Sequence, residues 1–195
     1  MSVSAGVSAG FFGKMPSRGD FVRAGLPSGL VQALDEWWQD VLPGSRTILG
    51  EDAWTEAWME APIWRFLLPA GQCGAGPVVG LWLPSTDKAG RLFPLIIAAA
   101  AATWAELAVL GGFLDAAEGI GIAAVERDVP PDQFAAAVAA AAVPSGPALA
   151  EPRQGAWWTA GGRLVAAARK EFSGMPNATM FAAMLRDGRN GAPGL

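Results

Sequence analysis

Three short segments of this chain combine charged side chains with glycine and proline, and they contain the residues that could do chemistry. The segments read GFFGKMPSRGDFVR at 10–23, PIWRF at 62–66 and PSTDKAGRLFPL at 84–95. Their ionic and hydroxyl side chains could pair with one another, hold a divalent cation through carboxylates, or bind a charged partner. The candidate site residues in them are Lys14, Arg18, Asp20, Arg23, Arg65, Ser85, Asp87, Lys88 and Arg91.

The acids and guanidiniums in these segments are expected to pair. A charge drawn into a protein interior persists only when an opposite charge or hydrogen bonds compensate it. We therefore expect Asp20 and Asp87 to form bidentate pairs with Arg65 and Arg91 across neighbouring loops. Arg65 lies between two aromatic residues in an apolar run, so it can also point to water on an amphipathic strand.

The charge network has two possible roles. It can act only as a structural staple between the loops and the sheet, or its outer rim can also be a recognition surface, formed by Lys14, Arg18, Ser85 and Lys88. Removing one partner of a buried pair leaves the other charge uncompensated. Asp87→Ala is therefore expected to destabilise the domain, whereas Lys14→Ala is expected to leave the melting temperature unchanged and weaken partner binding.

Composition excludes several kinds of chemistry. The chain has no histidine, no tyrosine and a single cysteine, Cys73. Catalytic arrangements of Ser-His-Asp or Cys-His type, imidazole metal sites and intrachain disulfides are therefore impossible. Carboxylate and lysine chemistry remains, with Asp20 and Asp87 as the conceivable ligands of Mg²⁺. Because lysines and arginines stand beside both acids, we expect no catalytic residue, no metal and no cofactor.

The overall composition indicates a folded cytoplasmic domain. The 195 residues are 52% hydrophobic and 16% charged, which is typical of a chain with a large core. The net charge of −4 disfavours a nucleic-acid partner. The most apolar run, 92–102, is much shorter than the roughly 20 residues that span a bilayer, and the first residues do not resemble a secretion signal. Membrane insertion is therefore not expected.

Hydrophobic periodicity predicts strands in the first half of the chain and helices in the second. Apolar runs at 63–68, at 78–83 and from Phe93 predict an antiparallel meander, and residues 8–15 predict a first strand. Helices are predicted from Ser28 to a break at Pro43-Gly44, from Trp104 through 117, at 132–142 and after Asn177. A hairpin with a two-residue Gly161-Gly162 turn is predicted within 155–168.

The 84–95 segment has the chemistry of a turn between two apolar strands. Asp87 can accept hydrogen bonds from backbone N–H groups ahead of it, and Gly90 can take positive φ without steric cost. A turn between two strands does not by itself require an arginine such as Arg91 just before an apolar strand. We therefore expect an acid to compensate this guanidinium.

The three charged segments, in this order, resemble the TagF family of proteins, which are accessory to the bacterial type VI secretion system. The later Trp157-Trp158 pair and the Met175-Pro176 step ahead of Phe181 also resemble that family. Departures are mild: Met15, Thr86 and Leu92 stand where the family usually has an aliphatic residue, a valine and an aromatic residue. The resemblance covers almost the whole chain.

The resemblance implies a fold and a function. The implied fold is of α/β (α+β) type: a single domain over 1–195, with a central, mostly antiparallel sheet of about five or six strands and helices packed around it. Residues 186–195 are expected to form a flexible tail. The implied function is non-enzymatic: cytoplasmic, post-translational repression of type VI secretion through a forkhead-associated-domain scaffold protein. The oligomeric state stays open.

An enzymatic alternative stands beside this interpretation. Some relatives are fused to a serine/threonine phosphatase domain, although no such domain fits within this chain. The most concrete alternative is therefore a metal-assisted phosphoester hydrolase that uses Asp20 and Asp87.

Overall fold

A computed structural model describes residues 6–187 of the chain, and in it an antiparallel sheet of seven strands forms the centre of the molecule. The order across the sheet is β2-β1-β5-β4-β3-β6-β7, and every neighbouring pair is antiparallel. The strands are β1 (Ser8–Gly13), β2 (Val22–Ala24), β3 (Trp64–Leu68), β4 (Val78–Leu83), β5 (Leu95–Ala100), β6 (Gly155–Thr159) and β7 (Ala168–Phe172).

Between residues 6 and 187, six helices cover the two faces of this sheet. One hydrophobic cluster joins the first face to α1, α2 and α6, and a second cluster joins the opposite face to α3, α4 and α5. Within the described residues, none of the helices is both long and apolar enough to cross a bilayer. The helices are α1 (Ser28–Leu49), α2 (Glu51–Met59), α3 (Trp104–Ala108), α4 (Phe113–Glu126), α5 (Pro131–Ala141) and α6 (Ala178–Leu185).

Tryptophans dominate the first of these clusters. Trp38 meets Trp82 edge-on at 5.4 Å between ring centroids and meets Phe181 edge-on at 5.2 Å. Such edge-to-face pairs add roughly 0.5–1.5 kcal/mol each beyond the area they bury. Trp58 is also fully buried, and its indole N–H donates to the carbonyl of Ser85 at 3.4 Å. The aromatic core therefore contacts one of the charged segments directly.

The predicted fold class is confirmed, and the sheet has one or two strands more than expected. The strand that hydrophobic periodicity did not predict is the edge strand β2, which is only three residues long. Of the expected flexible tail at 186–195, all but Arg186 and Asp187 lies outside the described residues. Those two residues both make hydrogen bonds, for example from the Asp187 N–H to the carbonyl of Leu164 at 3.1 Å.

Two predicted helix bounds are wrong for packing reasons. Helix α1 does not stop at Pro43-Gly44 but continues to Leu49, and Gly44 lies against Ala178 of α6. The helix that begins at Trp104 ends at Ala108, because the chain beyond it bonds to the loop around Ser145. There the Ser145 N–H donates to Val109, and the Gly112 N–H donates to Ser145. Tertiary contacts thus override local helix propensity at both places.

The predicted two-residue hairpin turn is also wrong. Strands β6 and β7 do pair, but residues 160–167 connect them and β7 begins at Ala168. Leu164 and Val165 leave the sheet because their side chains are buried in the tryptophan-rich cluster. Gly161, at φ +87°, and a bond from the Gly162 N–H to the Val165 carbonyl shape this loop.

Candidate functional site

Two loops that carry most of the candidate residues meet at one end of the sheet. We call residues 14–21 and 84–94 the charged loop pair. The first loop follows β1, and the second connects β4 to β5, which lies beside β1 in the sheet. Because β5 is antiparallel to both β1 and β4, the ends of β1 and β4 and the start of β5 lie together.

Backbone hydrogen bonds join the two loops. The Lys14 N–H donates to the carbonyl of Pro94 at 3.1 Å, and the Lys88 N–H donates to the carbonyl of Arg18 at 2.7 Å. The Ser85 hydroxyl donates to the carbonyl of Lys14 at 2.8 Å. The loops are therefore one structural unit.

Asp87 organises the turn within the second loop. Its Oδ1 accepts hydrogen bonds from the backbone N–H groups of Ala89 and Arg91, each at 2.9 Å. Gly90 closes the turn at φ +79°, and its N–H donates to the Asp87 carbonyl at 2.9 Å. The turn chemistry predicted for Asp87 and Gly90 is confirmed.

The other carboxylate oxygen of Asp87 binds two cations. Its Oδ2 lies 3.0 Å from Lys14 Nζ and 2.6 Å from Arg91 Nε, and the carboxylate is inaccessible to solvent. Burial raises the pKa of this carboxyl, but hydrogen bonds from the Arg91 backbone, Lys14, the Arg91 side chain and the Ala89 backbone outweigh that effect. The net result is an Asp87 pKa far below its ordinary value.

The expected pairing is thus only half right. Asp87 pairs with Arg91, which also donates from Nη2 to the carbonyl of Gly19 at 2.9 Å. Asp20 is exposed and has no hydrogen bond or ion pair with any described residue. Arg65 pairs with neither Asp20 nor Asp87. Its partners are two acids that sequence reasoning did not single out.

Those partners lie on helix α4. Arg65 Nη1 is 2.7 Å from Asp115 Oδ1, and Arg65 Nη2 is 2.8 Å from Glu118 Oε2. Strand residues alternate in direction, so Trp64 and Arg65 point to opposite faces and Arg65 points towards α4. Burial lowers the Arg65 pKa, but the bonds to Glu118 and Asp115 outweigh it and raise the pKa. The three-residue spacing of these acids, on one helix face, is the signal that could have identified them.

The expected outer rim also needs correction. Lys14 and Ser85 are buried, with 7% and 5% of their surfaces exposed, because they face Asp87 and the first loop. Lys14→Ala would therefore disturb the buried network, contrary to our expectation. Lys88 and Arg23 are exposed, and the partly exposed Arg18 reaches Asp128 only at 3.9 Å. The solvent-facing candidates are thus Arg18, Asp20, Arg23, Lys88 and Arg91.

The arrangement does not favour metal binding at Asp87. Two backbone donors and two cations already occupy both carboxylate oxygens. A divalent cation would have to displace Lys14 and Arg91. Within residues 6–187, no three side chains of the metal-binding types come close enough together to hold an ion.

Comparison with known proteins places these segments in a family. The model of the TagF N-terminal domain, described as type VI secretion system-associated, matches residues 10–141. The chain belongs to the TagF family. All three charged segments lie within the part that matches the TagF model.

A solved structure supports the same fold. The chain is similar to the crystal structure of PA0076 from Pseudomonas aeruginosa PAO1, with a TM-score of 0.80 and 28% sequence identity. The match covers 96% of this chain and 98% of PA0076. No curated protein sequence matches this TagF-family chain.

Proposed function

We propose that this TagF-family domain is a non-catalytic repressor of type VI secretion. It acts after translation, in the cytoplasm, by binding the forkhead-associated-domain scaffold protein of the secretion system. The family's association with type VI secretion supports the assignment of this domain to that system. The repressor role, the partner and the location are the proposal.

The proposal that the domain is not catalytic rests on Asp87, whose two carboxylate oxygens are already fully occupied by hydrogen bonds and ion pairs. A general base or metal ligand needs an accessible oxygen, and both oxygens of Asp87 are buried and bonded. Asp20, the other acid of the enzymatic alternative, is exposed and forms no ion pair with any described residue. The buried charges around Asp87 hold the two loops in place, and the exposed cations of the charged loop pair remain available to bind a partner.

Two measurements test this proposal. Titration calorimetry with the purified domain and the purified scaffold protein should show saturable binding. Overproduction of the domain in a secreting strain should reduce release of a type VI substrate without lowering the level of the secretion proteins. Absence of binding, or a loss of secretion explained by lower protein levels, would contradict the proposal.

A charge-reversal pair makes the binding test specific. Arg18→Glu with Lys88→Glu should weaken scaffold binding, because both side chains reach solvent beside the charged loop pair. Arg153→Glu with Arg169→Glu is the matched control. It reverses two exposed charges near the opposite edge of the sheet and should leave binding unchanged.

A further inference from the structure

The charged loop pair presents an ordered aromatic ring to solvent. Phe21 exposes 49% of its surface. Its ring stacks on Phe12 with 5.7 Å between centroids and meets Phe93 edge-on at 4.7 Å. Phe12 and Phe93 are buried, so the exposed ring rests on the core and loses little conformational freedom when it is covered.

Two cationic side chains lie near this ring. Lys14 Nζ lies 5.2 Å from the Phe21 ring centroid. Arg23 follows two residues later on β2 and pairs across the ladder with Phe12, which places Arg23 on the same face as Phe12. Segments 14–23 and 84–94 together hold five cationic and two anionic side chains, a net charge of +3, on a chain whose total charge is −4. The cationic character is therefore local.

A cleft of about 680 Å³ opens beside Phe21, and this volume lies within the size range of ligand pockets. Phe12, Phe21 and Phe93 form its apolar floor, and Arg23 forms part of one wall. Helix α1 forms the opposite wall with Asp35, which accepts a hydrogen bond from Gln39 at 2.7 Å. The lining of the cleft thus contains one cation, Arg23 of β2, and one acid, Asp35 of α1.

We propose that Phe21, Arg23 and the solvent-accessible cations Arg18 and Lys88 of the charged loop pair bind an acidic segment of the scaffold protein, with one apolar side chain of that segment entering the cleft. This inference rests on the proposed function and adds the contact surface and the chemistry of the partner segment. Aromatic residues, including phenylalanine, and arginine are enriched in protein interfaces. Complementary charge sets the orientation: the acids of the partner face the loops and avoid Asp35.

Calorimetric titration of the purified full chain with the purified scaffold protein tests this surface. Phe21→Ser should weaken binding by about tenfold or more, because it removes the central apolar contact. Arg23→Glu should weaken binding and make it less sensitive to added salt, since one attractive charge becomes repulsive. Asp35→Lys should tighten binding. Met180→Ser, which alters a side chain of 41% exposure on α6, is the matched control and should bind as the parent does.

The outcomes separate this inference from the proposed function. If the parent chain does not bind the scaffold, the proposed function fails and the inference fails with it. If the parent binds and the folded Phe21→Ser and Arg23→Glu variants bind equally well, only the inference fails. Circular dichroism establishes whether each variant is folded. If Phe21→Ser does not fold, Arg23→Glu alone tests the proposed contact surface.

Other occupants of the surface would overturn the inference. Sedimentation with vesicles of phosphatidylglycerol should show no binding; binding that Phe21→Ser abolishes would assign the surface to lipid. Analytical ultracentrifugation should show no dimer of the parent chain that is lost in the Phe21→Ser variant. Such a dimer would assign the surface to a second copy of the chain.

Discussion

Lys14 Nζ and Asp87 Oδ2 lie 3.0 Å apart although they belong to different loops, and both side chains are buried. The pair joins the end of β1 to the turn between β4 and β5. Since Arg91 binds the same carboxylate oxygen, one acid compensates two cations at this junction. A buried arrangement of this kind depends on all its members, because removal of one leaves charge or hydrogen-bonding groups unpaired.

Asp87→Asn should therefore lower the melting temperature strongly. The amide keeps the shape of the carboxylate but cannot compensate Lys14 and Arg91, and we expect a decrease of about 10 °C. Thermal unfolding followed by circular dichroism measures it. Asp20→Asn is the matched control, because Asp20 is exposed and unpaired within the described part of the chain. Equal melting of the two variants would show that the network does not stabilise the fold.

The Asp87 network also predicts a pH dependence. The pKa of Asp87 is lowered in the folded state, so its contribution to stability is fully present above the pKa of about 3.9 of an unfolded aspartate. It is lost as the pH falls from there towards the lower folded pKa. The difference in free energy of unfolding between the parent and Asp87→Asn should therefore be constant from about pH 5 to neutral pH and shrink below about pH 4.

Urea unfolding at a series of pH values measures this difference. Other acids contribute to the acid sensitivity of the parent, notably Glu56, whose pKa is lowered chiefly by the hydrogen bond from Arg163. Comparison of the two proteins cancels that contribution, since both retain Glu56. A difference that stays constant down to the acid limit would mean that the pKa of Asp87 is the same in the folded and unfolded states, so that the network does not lower it.

Divalent cations should not stabilise the domain. Asp87 has no free carboxylate oxygen, and a bound ion would have to break its bonds to Lys14 and Arg91. Addition of Mg²⁺ or Mn²⁺ to about 10 mM should therefore leave the melting temperature unchanged, whereas a ligand that binds the folded state raises it in proportion to RT ln(1 + [L]/Kd). A rise that Asp20→Asn and Asp87→Asn both abolish would instead support the hydrolase alternative.

Local chemistry made the turn around Asp87 predictable from the sequence. Asp87 and Gly90 lie within four residues of each other, and their roles follow from side-chain reach and backbone freedom alone. The alternation of β3 likewise placed Trp64 and Arg65 on opposite faces of the sheet. Such rules act over a few residues, so no knowledge of the tertiary structure was needed.

The partners of Arg65 could not be found in the same way. Asp115 and Glu118 reach it because helix α4 packs across β4 and β5, and that placement depends on the whole core. The burial of Lys14 has a similar origin. A lysine that follows a strand is usually exposed, and here the second loop folds over it and brings Asp87 to its ammonium group.

Arg65 and Glu118 should show a measurable coupling free energy. Arg65→Met, Glu118→Gln and the double variant form a thermodynamic cycle, and we expect a coupling of about 0.5–1.5 kcal/mol. The value is modest because 25% of the Arg65 side chain and 33% of the Glu118 side chain remain accessible to water. Arg65→Lys should not restore the parent stability, since an ammonium group cannot reach Asp115 and Glu118 with separate fixed donors.

Chemical unfolding of the four proteins measures this coupling. Arg169 and Glu171 supply the comparison, because both side chains are more than half exposed and lie 3.7 Å apart on β7. Their coupling should be close to zero. A coupling of zero between Arg65 and Glu118 would show that this pair does not help to hold α4 against the sheet.

The close contact between α1 and α6 gives a test of the helix that passes through Pro43. A Cβ atom at Gly44 would lie 2.5 Å from the Cβ of Ala178, closer than real Cβ contacts. Gly44→Ala should therefore lower the free energy of unfolding by about 1–3 kcal/mol, although alanine is the better helix former. Gly29→Ala is the matched control in the same helix, because nothing lies within 4 Å of the added methyl group.

The double variant Gly44→Ala with Ala178→Gly decides between a steric and a conformational cause. If the methyl groups collide, removal of the Ala178 methyl relieves the strain, and the double variant is more stable than Gly44→Ala even though glycine is a weaker helix former than alanine. If instead the helix ended at Pro43, the effects of the two substitutions would add, and Gly44→Ala would resemble Gly29→Ala. Urea unfolding of the four proteins distinguishes these results, because a steric contact requires that α1 continue past Pro43 onto α6.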